Sequence, residues 1–224
     1  NSLGFVDQQH IYFVAQFSCN IRDFAAYSNG SRVEGSKAHG TKIMASFGLE
    51  SNVVTVKVGL SNVSIENARQ NLTHDTGSDF NFDAVSKAAD AQWEKALSCF
   101  VIDDKSEARK KVFYTALYHT LVMPNITSDC NGEYRAHDQS IRRLEEGCKE
   151  YSALSLWDTF RAWHPLMTLI DHDLVRNINN SMLNSYSCDK KLPIWPLSSG
   201  EPGCMIGYHS VAVLAEAYLK GIRN

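Results

Sequence analysis

Two segments near the N-terminus alternate apolar and polar side chains with a period of two residues. In residues 11–17 the odd-numbered positions are all apolar, and in residues 53–60 the even-numbered positions are all apolar. Such alternation is typical of β-strands that bury one face, and glycine- and asparagine-containing turns lie between the two segments. We therefore predict that both segments share one antiparallel sheet, with Phe13 and Val54 facing its core.

Helical periodicity replaces this alternation after Ser64, which is placed to cap a first helix. Apolar residues at helical spacing predict further helices over residues 84–97 and 112–121. A last helix, with a continuous apolar stripe, follows Gly207, and Gly221 stands where a left-handed C-terminal cap belongs. The predicted order is therefore strands first and helices afterwards.

The connections between the predicted helices are long and contain glycine, aspartate and asparagine, as in residues 128–147. Pro124 and Pro193 fall at loop positions. Without short, tight connections, a layer of α/α hairpins fits better than a compact four-helix bundle. Two or three strands cannot bury a sandwich core by themselves, so we expect both parts of the chain to belong to larger domains.

Composition and charge exclude two classes of function. The chain has 224 residues, 44% of them hydrophobic, which is enough for a substantial core. The net charge of −3 and the lack of a lysine and arginine cluster argue against nucleic-acid binding. No apolar run approaches the roughly 20 residues that span a bilayer, so we expect no membrane span.

The sequons and the cysteines bear on the cellular compartment in which the protein is expected. Asn-X-Ser/Thr sequons are more frequent than the roughly two expected by chance, and they begin at Asn29, Asn62, Asn71, Asn125 and Asn179. The chain does not start with methionine, so we expect a signal peptide upstream and a protein that is secreted or enters the secretory pathway. The six cysteines lack CxxC spacing, which argues against a zinc site and leaves disulfides and free thiols both open.

The densest group of candidate residues lies in residues 151–166, which we predict to form one helix that is apolar almost all round and therefore buried. Asp158 and Arg161 lie on the same face of this helix. They could form a buried structural ion pair, because an unpaired buried carboxylate is costly. Alternatively, Asp158 lines a pocket and accepts hydrogen bonds from sugar hydroxyls, with Trp157 or Trp163 as an apolar platform.

A second group lies in residues 192–209, where a loop rich in proline and tryptophan precedes the last helix. Glu201 stands just before this helix, either as an active-site carboxylate or as a solvated loop residue. His209 lies beside the apolar stripe, and its default interpretation is a satisfied interior histidine. Residues 129–133 resemble a calcium loop but lack the alternation and the closing Glu of an EF-hand, which favours a turn.

The most distinctive blocks, in chain order, are residues 58–72 (VGLSNVSIENARQNL), 113–119 (FYTALYH), 129–134 (DCNGEY), 155–161 (SLWDTFR), 192–195 (LPIW), 204–209 (CMIGYH) and 217–222 (AYLKGI). In sequence and in order they closely resemble glycoside hydrolase family 92. Because so many separate blocks occur in the same order, the resemblance is specific. It extends from about residue 11 to the C-terminus.

This resemblance implies a multidomain β + α fold. Residues 1–63 are expected to form the C-terminal part of an antiparallel β-sandwich, and residues 64–103 a helical linker. Residues 104–224 are expected to form the N-terminal part of an α/α-toroid catalytic domain, a six-hairpin barrel. The change from strands to helices after Ser64 agrees with this division.

The resemblance also implies an exo-acting, inverting, calcium-dependent α-mannosidase that acts on mannose-terminated glycans or glycoproteins such as N-glycans. Inversion requires a carboxylic acid that protonates the departing oxygen and a carboxylate that deprotonates the attacking water. The family motifs for both groups, and most calcium ligands, are expected beyond residue 224, so we assign no catalytic residue and no metal ligand in this chain. Asp158 matches a family position expected to contact the terminal mannose. The candidate substrate-binding residues are Asp158, Arg161, Trp157, Glu201 and His209.

Two other functions remain open. The chain could be a non-catalytic carbohydrate-binding or interaction remnant of the same fold, and the sequence downstream of Asn224 would distinguish this from an enzyme. A different α/α-toroid glycosidase is disfavoured, because its blocks would not include WDTFR at residues 157–161.

Overall fold

The structure is a computed structural model that describes residues 8–223. The first half contains β1 (Tyr12–Phe17), β2 (Ile21–Ser28), β3 (Ser31–Val33), β4 (Ile43–Leu49), β5 (Val56–Ser61), α1 (Ile65–Thr76), α2 (Phe82–Leu97) and α3 (Glu107–Thr120). The second half contains β6 (Asn125–Ile126), β7 (Glu133–Arg135), β8 (Ile141–Arg143), β9 (Tyr151–Ser152), α4 (Leu156–Thr159), α5 (Trp163–Ile170), α6 (His172–Asp189) and α7 (His209–Leu219). The architecture is therefore mixed β and α, and its strand pairs are antiparallel.

The N-terminal strands form two small antiparallel sheets. Strand β1 pairs with β5, placing Phe13 opposite Leu60, and β2 lies between β3 and β4. The prediction that the segments near residues 11 and 53 share one sheet is confirmed. Strand β5 begins only at Val56, so Val54 lies outside it.

The predicted core face of this sheet is largely exposed among residues 8–223. Phe13 is 65% exposed, and the valines and the leucine of β5 are also exposed, whereas the alternate side of β5 is buried. Helix α1 packs on that side, where Gly59 lets the helix backbone approach: a Cβ atom at Gly59 would collide with the carbonyl oxygen of Ala68. The periodicity therefore predicts the strand, and the close approach of α1 buries the side opposite its apolar side chains.

A buried lysine completes the contact between β5 and α1. The ammonium group of Lys57 donates hydrogen bonds to the carbonyl oxygens of Gly77 (2.8 Å) and Ser78 (3.2 Å), and it lies 4.6 Å from the ring centre of Phe80. Carbonyl groups at a helix C-terminus lack partners within the helix and attract cations. The end of α1 thus supplies the acceptors for the buried ammonium group of Lys57.

The helix predictions are largely confirmed. Ser64 caps α1 by accepting a hydrogen bond from the backbone N–H of Asn67 (3.0 Å), and the predicted middle helices correspond to α2 and α3. Helix α7 ends before Gly221, which has a φ of +79°, and the N–H of Ile222 bonds to the carbonyl of Ala217 (2.9 Å). This is a Schellman C-cap, as the glycine predicts.

The single buried helix predicted over residues 151–166 is wrong. The structure has strand β9, the short helix α4 and then, after a break at Ala162, helix α5. In a continuous helix, the ring of Pro165 would clash with the carbonyl four positions earlier, and proline has no N–H to donate. A new helix that starts at Trp163 places Pro165 in its first turn, where both problems disappear. Asp158 and Arg161 are consequently exposed rather than buried.

Helix α6 runs through the core of the helical part. One hydrophobic cluster consists of Leu154, Leu156, Ile178, Met182 and Val213. The other consists of Met167, Val175, Ala217 and Ile222. The two clusters connect α4, α5, α6 and α7, and so fix the end of the fold at which α4 meets α7.

The six cysteines all fall within residues 8–223, and the structure leaves them as free thiols. Over the same residues, no helix combines the length and the apolar character needed to cross a membrane. Among the sequons, Asn29 and Asn125 are exposed and Asn179 is buried. The secretory route stays a prediction.

Candidate functional site

Four of the five residues predicted from the sequence lie where α4 meets α7. Trp157 and Asp158 belong to α4, Arg161 follows it, and His209 opens α7. Glu201 lies in the loop before α7 and is connected to α4 through that loop. The structure thus places residues that are 52 positions apart, Trp157 and His209, with their rings 5.3 Å apart.

His209 lies against two aromatic rings. Its imidazole stacks on Phe160, with ring centres 4.1 Å apart and planes 9° apart, and it is tilted against Trp157. There is no room for a side chain at Gly207, because a Cβ atom there would collide with the imidazole. The Nε2 atom of His209 is buried and has no hydrogen-bond partner among residues 8–223. His209 is therefore not the satisfied interior histidine that the sequence favoured.

Arg161 makes cation–π contacts instead of an ion pair. Its guanidinium lies 5.1 Å from the ring centre of Trp157 and 4.9 Å from that of Phe160. Within the described part of the chain, Asp158 and Arg161 do not form a salt bridge, so the structural ion pair is ruled out here. Phe160 was missed as a site residue, although its i, i+3 spacing from Trp157 places both rings on one side of the chain.

Asp158 is exposed, and only one of its oxygens is engaged by the described residues. The hydroxyl of Ser155 donates a hydrogen bond to Oδ2 of Asp158 at 2.5 Å. The second oxygen, Oδ1, is left to accept hydrogen bonds from a ligand. A carboxylate with an open oxygen, beside a guanidinium and an indole ring, is suited to bind a polyhydroxylated ring with one apolar face.

Glu201 is not a solvated loop residue. Its carboxylate accepts hydrogen bonds from the backbone N–H groups of Ile194 (2.8 Å), Trp195 (3.0 Å) and Gly203 (3.0 Å). Both oxygens are used, so Glu201 has little capacity left to bind a ligand. The indole N–H of Trp195 in turn donates to the hydroxyl of Ser155 (2.7 Å).

A second polar centre was missed by the sequence analysis and lies on the inner side of α6. Glu150 is buried, and its Oε2 accepts a hydrogen bond from the side chain of Asn184 (2.7 Å). Burial raises the pKa of Glu150 to about 7. Burial and the nearby charge of Glu150 raise the pKa of Tyr134 to about 12. Glu150 lies in the loop before β9 and is close in sequence to other acidic residues. Nothing in the sequence therefore indicates that it is buried.

This centre includes a histidine between an acid and a serine. His137 Nδ1 lies 2.7 Å from Asp189 Oδ2, and its Nε2 lies 3.4 Å from the Ser185 hydroxyl. The arrangement has the order of a hydrolytic triad. However, Ser185 is buried, and its hydroxyl donates to the carbonyl of Ser181 (3.0 Å). Because Ser185 donates its hydroxyl proton to a carbonyl of α6, it does not donate that proton to His137. We therefore interpret Asp189, His137 and Ser185 as a structural group.

Asp129 joins the β part of the chain to the helical part. It is buried and accepts hydrogen bonds from Ser61 (2.7 Å), Asn67 (2.8 Å) and Asn71 (2.7 Å). The predicted turn is confirmed, since the N–H of Gly132 bonds to the carbonyl of Asp129 (2.8 Å). The amide of Asn71 is occupied by this contact, although the sequence marks Asn71 as a sequon.

Asp129→Asn is expected to lower the free energy of unfolding by about 2 kcal/mol. One carboxylate oxygen becomes an NH₂ group that faces a side-chain donor, so one hydrogen bond to a charged acceptor is lost. Denaturant unfolding monitored by circular dichroism measures the change. Asp103→Asn is the matched control at an exposed aspartate, and it should change stability by less than about 0.5 kcal/mol. Equal effects of the two substitutions would contradict the anchoring role of Asp129.

An open cleft of about 880 Å³ lies elsewhere, between α1 and the loop that follows β8. Asn71, Asp75, Asp129, Glu145 and Lys149 are among its lining residues, and none of the five predicted residues lines it. Its polar side chains near α1 mostly bond to one another, as at Asp129. The cluster around Asp158 has both an open carboxylate oxygen and aromatic faces, and we place the candidate site there.

Comparison with solved structures reveals close relatives of this fold. The family GH92 α-mannosidase BT3965 from Bacteroides thetaiotaomicron is 34% identical, with a TM-score of 0.86 over 96% of this chain and 30% of that one. It has also been solved in complex with mannoimidazole. The family GH92 inverting mannosidase BT2199 from the same organism is 26% identical, with a TM-score of 0.83 over 100% of this chain and 31% of that one.

This chain thus spans about 30% of the length of those structures. No curated protein matches the sequence significantly. The family model described as the glycosyl hydrolase family 92 catalytic domain matches residues 67–224, which include α4, α7 and all five candidate residues. The chain belongs to glycosyl hydrolase family 92.

Proposed function

We propose that this chain is part of an exo-acting, inverting, calcium-dependent α-mannosidase that acts on mannose-terminated glycans such as N-glycans. Membership of family 92 supports glycoside hydrolysis, and two similar structures are an α-mannosidase and an inverting mannosidase. The proposal includes the α/α toroid, of which the helices of residues 104–224 form the first part. It also includes the secretory route suggested by the sequons.

The observation that carries the proposal is the open carboxylate of Asp158 beside aromatic rings. In the proposed complex, Oδ1 of Asp158 accepts hydrogen bonds from hydroxyls of the terminal mannose. Arg161 is held on Trp157 and Phe160 by cation–π contacts, and it donates hydrogen bonds at the edge of the site. The apolar face of the sugar packs against the indole of Trp157.

The two carboxyl groups of an inverting mechanism are proposed to lie outside residues 1–224. One must protonate the departing oxygen, and the other, about 6.5–9.5 Å away, must activate water. Glu201 cannot take either role in its present position, because backbone N–H groups engage both of its oxygens. Asp158, engaged by Ser155 on one oxygen, is assigned to binding rather than to proton transfer.

The residues that the structure describes do not form a calcium site by themselves. Among residues 8–223, no group of three or more histidine, cysteine, aspartate or glutamate side chains is arranged to hold a metal ion. Calcium takes six to eight oxygen ligands, and Asp158 supplies at most one or two. The calcium dependence therefore stays part of the proposal, and no step is assigned to the ion.

The test is hydrolysis of an aryl α-mannoside by an enzyme that contains this sequence, followed by proton NMR. We expect β-mannose to appear first, loss of activity with a chelator, and recovery with added calcium. Residues 1–224 alone should release no product, because general acid–base groups contribute about 10²–10⁴-fold. Early appearance of α-mannose would contradict inversion, and turnover by residues 1–224 would contradict the placement of the acid and the base.

A further inference from the structure

A loop between α6 and α7 is held in place by Glu201. Three backbone N–H groups of this loop point at the Glu201 carboxylate, including those of Ile194 and Trp195. The carbonyl of Pro196 accepts hydrogen bonds from the N–H groups of Ala153 (3.0 Å) and Leu154 (3.3 Å). The loop is therefore fixed against the segment that leads into α4.

The side chain of Trp195 reaches from this loop to the start of α4. Its indole N–H can only donate, and it donates to the hydroxyl of Ser155 (2.7 Å). Ser155 has one proton, which it donates to Oδ2 of Asp158 (2.5 Å). The direction of both hydrogen bonds is thus determined: Trp195 donates to Ser155, and Ser155 donates to Asp158.

Ser155 also gives up its usual local role. It occupies the N-cap position of α4, where a serine hydroxyl normally accepts a hydrogen bond from the backbone. The structure has no such side-chain cap at Ser155. The hydroxyl is used for Trp195 and Asp158 instead, which favours a role in orienting Asp158 over a role in stabilising the helix.

We propose that Trp195 and Glu201 are positioning residues that act through Ser155 to hold the carboxylate of Asp158 in its sugar-binding orientation. This inference rests on the proposed function and changes the predicted role of Glu201 from substrate contact to loop anchor. Fixing Oδ2 leaves Oδ1 facing the ligand. It also removes the rotamer freedom that an exposed aspartate would otherwise lose on binding.

Trp195→Phe keeps an aromatic ring but removes the pyrrole ring of the indole together with its N–H. In an active enzyme containing this sequence, we expect kcat/KM for an aryl α-mannoside to fall about tenfold, with only a modest fall in melting temperature from the lost ring atoms. Trp93→Phe on the surface of α2 is the matched control, and kcat/KM should not change. Ser155→Ala should behave like Trp195→Phe, whereas Ser155→Thr, which keeps the hydroxyl, should recover most of the activity.

A double-mutant cycle separates positioning from general packing. In an Asp158→Asn background, Trp195→Phe should have less than about a twofold further effect, because the group that it orients has already lost its charge. Multiplicative effects of the two substitutions, or no effect of Trp195→Phe alone, would overturn the inference while leaving the binding role of Asp158 intact. An unchanged kcat/KM for Asp158→Asn alone would instead overturn the proposed function and the inference with it.

The Glu201 part has its own measurement. Glu201→Gln turns one acceptor into an amide group that faces backbone donors, so the loop should loosen, and both kcat/KM and the melting temperature should fall. In the Trp195→Phe background, Glu201→Gln should lower kcat/KM by a smaller factor than it does in the wild-type background. A full, independent loss in that background would show that Glu201 acts on the substrate directly.

Discussion

Asp158→Asn is expected to reduce kcat/KM by at least about a hundredfold in an active enzyme containing this sequence, with little change in stability. The substitution keeps the shape of the side chain and removes its charge. A hydrogen bond to a charged group contributes roughly 1.5–3 kcal/mol, so two such bonds to sugar hydroxyls account for a loss of this size.

Stability should hardly change, because Asp158 is exposed and is not paired with Arg161. Exposed substitutions usually alter the free energy of unfolding by less than about 0.5 kcal/mol. Thermal unfolding and kcat/KM should be measured side by side for the wild type, Asp158→Asn and the control Asp103→Asn. A sharp fall in melting temperature with near-normal specific activity would remove the sugar-binding role.

The strands and helices of this fold follow from local patterns, whereas their burial depends on packing that is not local. Alternation near residue 56 predicts β5, but it does not predict that Gly59 admits α1 onto the side opposite the valines. Ser64 and Gly221 mark helix ends reliably, since caps depend on neighbouring backbone atoms only. At residues 151–166, Pro165 by itself argues against one continuous helix, because a proline in a helix interior clashes with the carbonyl four positions earlier.

The candidate site shows the same division. Family resemblance and residue type identified Asp158, Trp157 and Arg161, but the sequence could not separate an ion pair from a cation–π contact. Whether Arg161 pairs with Asp158 or lies on the aromatic rings depends on how the break in the helix after α4 orients the Arg161 side chain. Glu201 was identified as a functional candidate, but its partners are backbone N–H groups, which leave no trace in residue identity.

Glu150 was not singled out at all, and it leads to the second large effect. Burial raises its pKa from 4.5 to about 7. Below pH 4.5 the carboxyl is protonated in both the folded and the unfolded state, and it has no pH-dependent effect. Between pH 4.5 and 7 the unfolded state releases the proton while the folded state keeps it, so stability falls as the pH rises. Above pH 7 the folded protein carries a buried charge that costs about 3 kcal/mol.

Glu150→Gln should therefore stabilise the protein by up to about 3 kcal/mol at pH 8 and by almost nothing at pH 4. Glutamine keeps an acceptor oxygen for Asn184, so the hydrogen bond, now 2.7 Å, can still form while the charge is removed. Other titrating groups, such as His164, whose pKa is lowered to about 4 by burial, occur in both proteins and cancel in the difference. Denaturant unfolding of both proteins at a series of pH values gives that difference directly. A difference that is independent of pH would mean that Glu150 has the same pKa in the folded and the unfolded protein, with Arg142 or solvent compensating its burial.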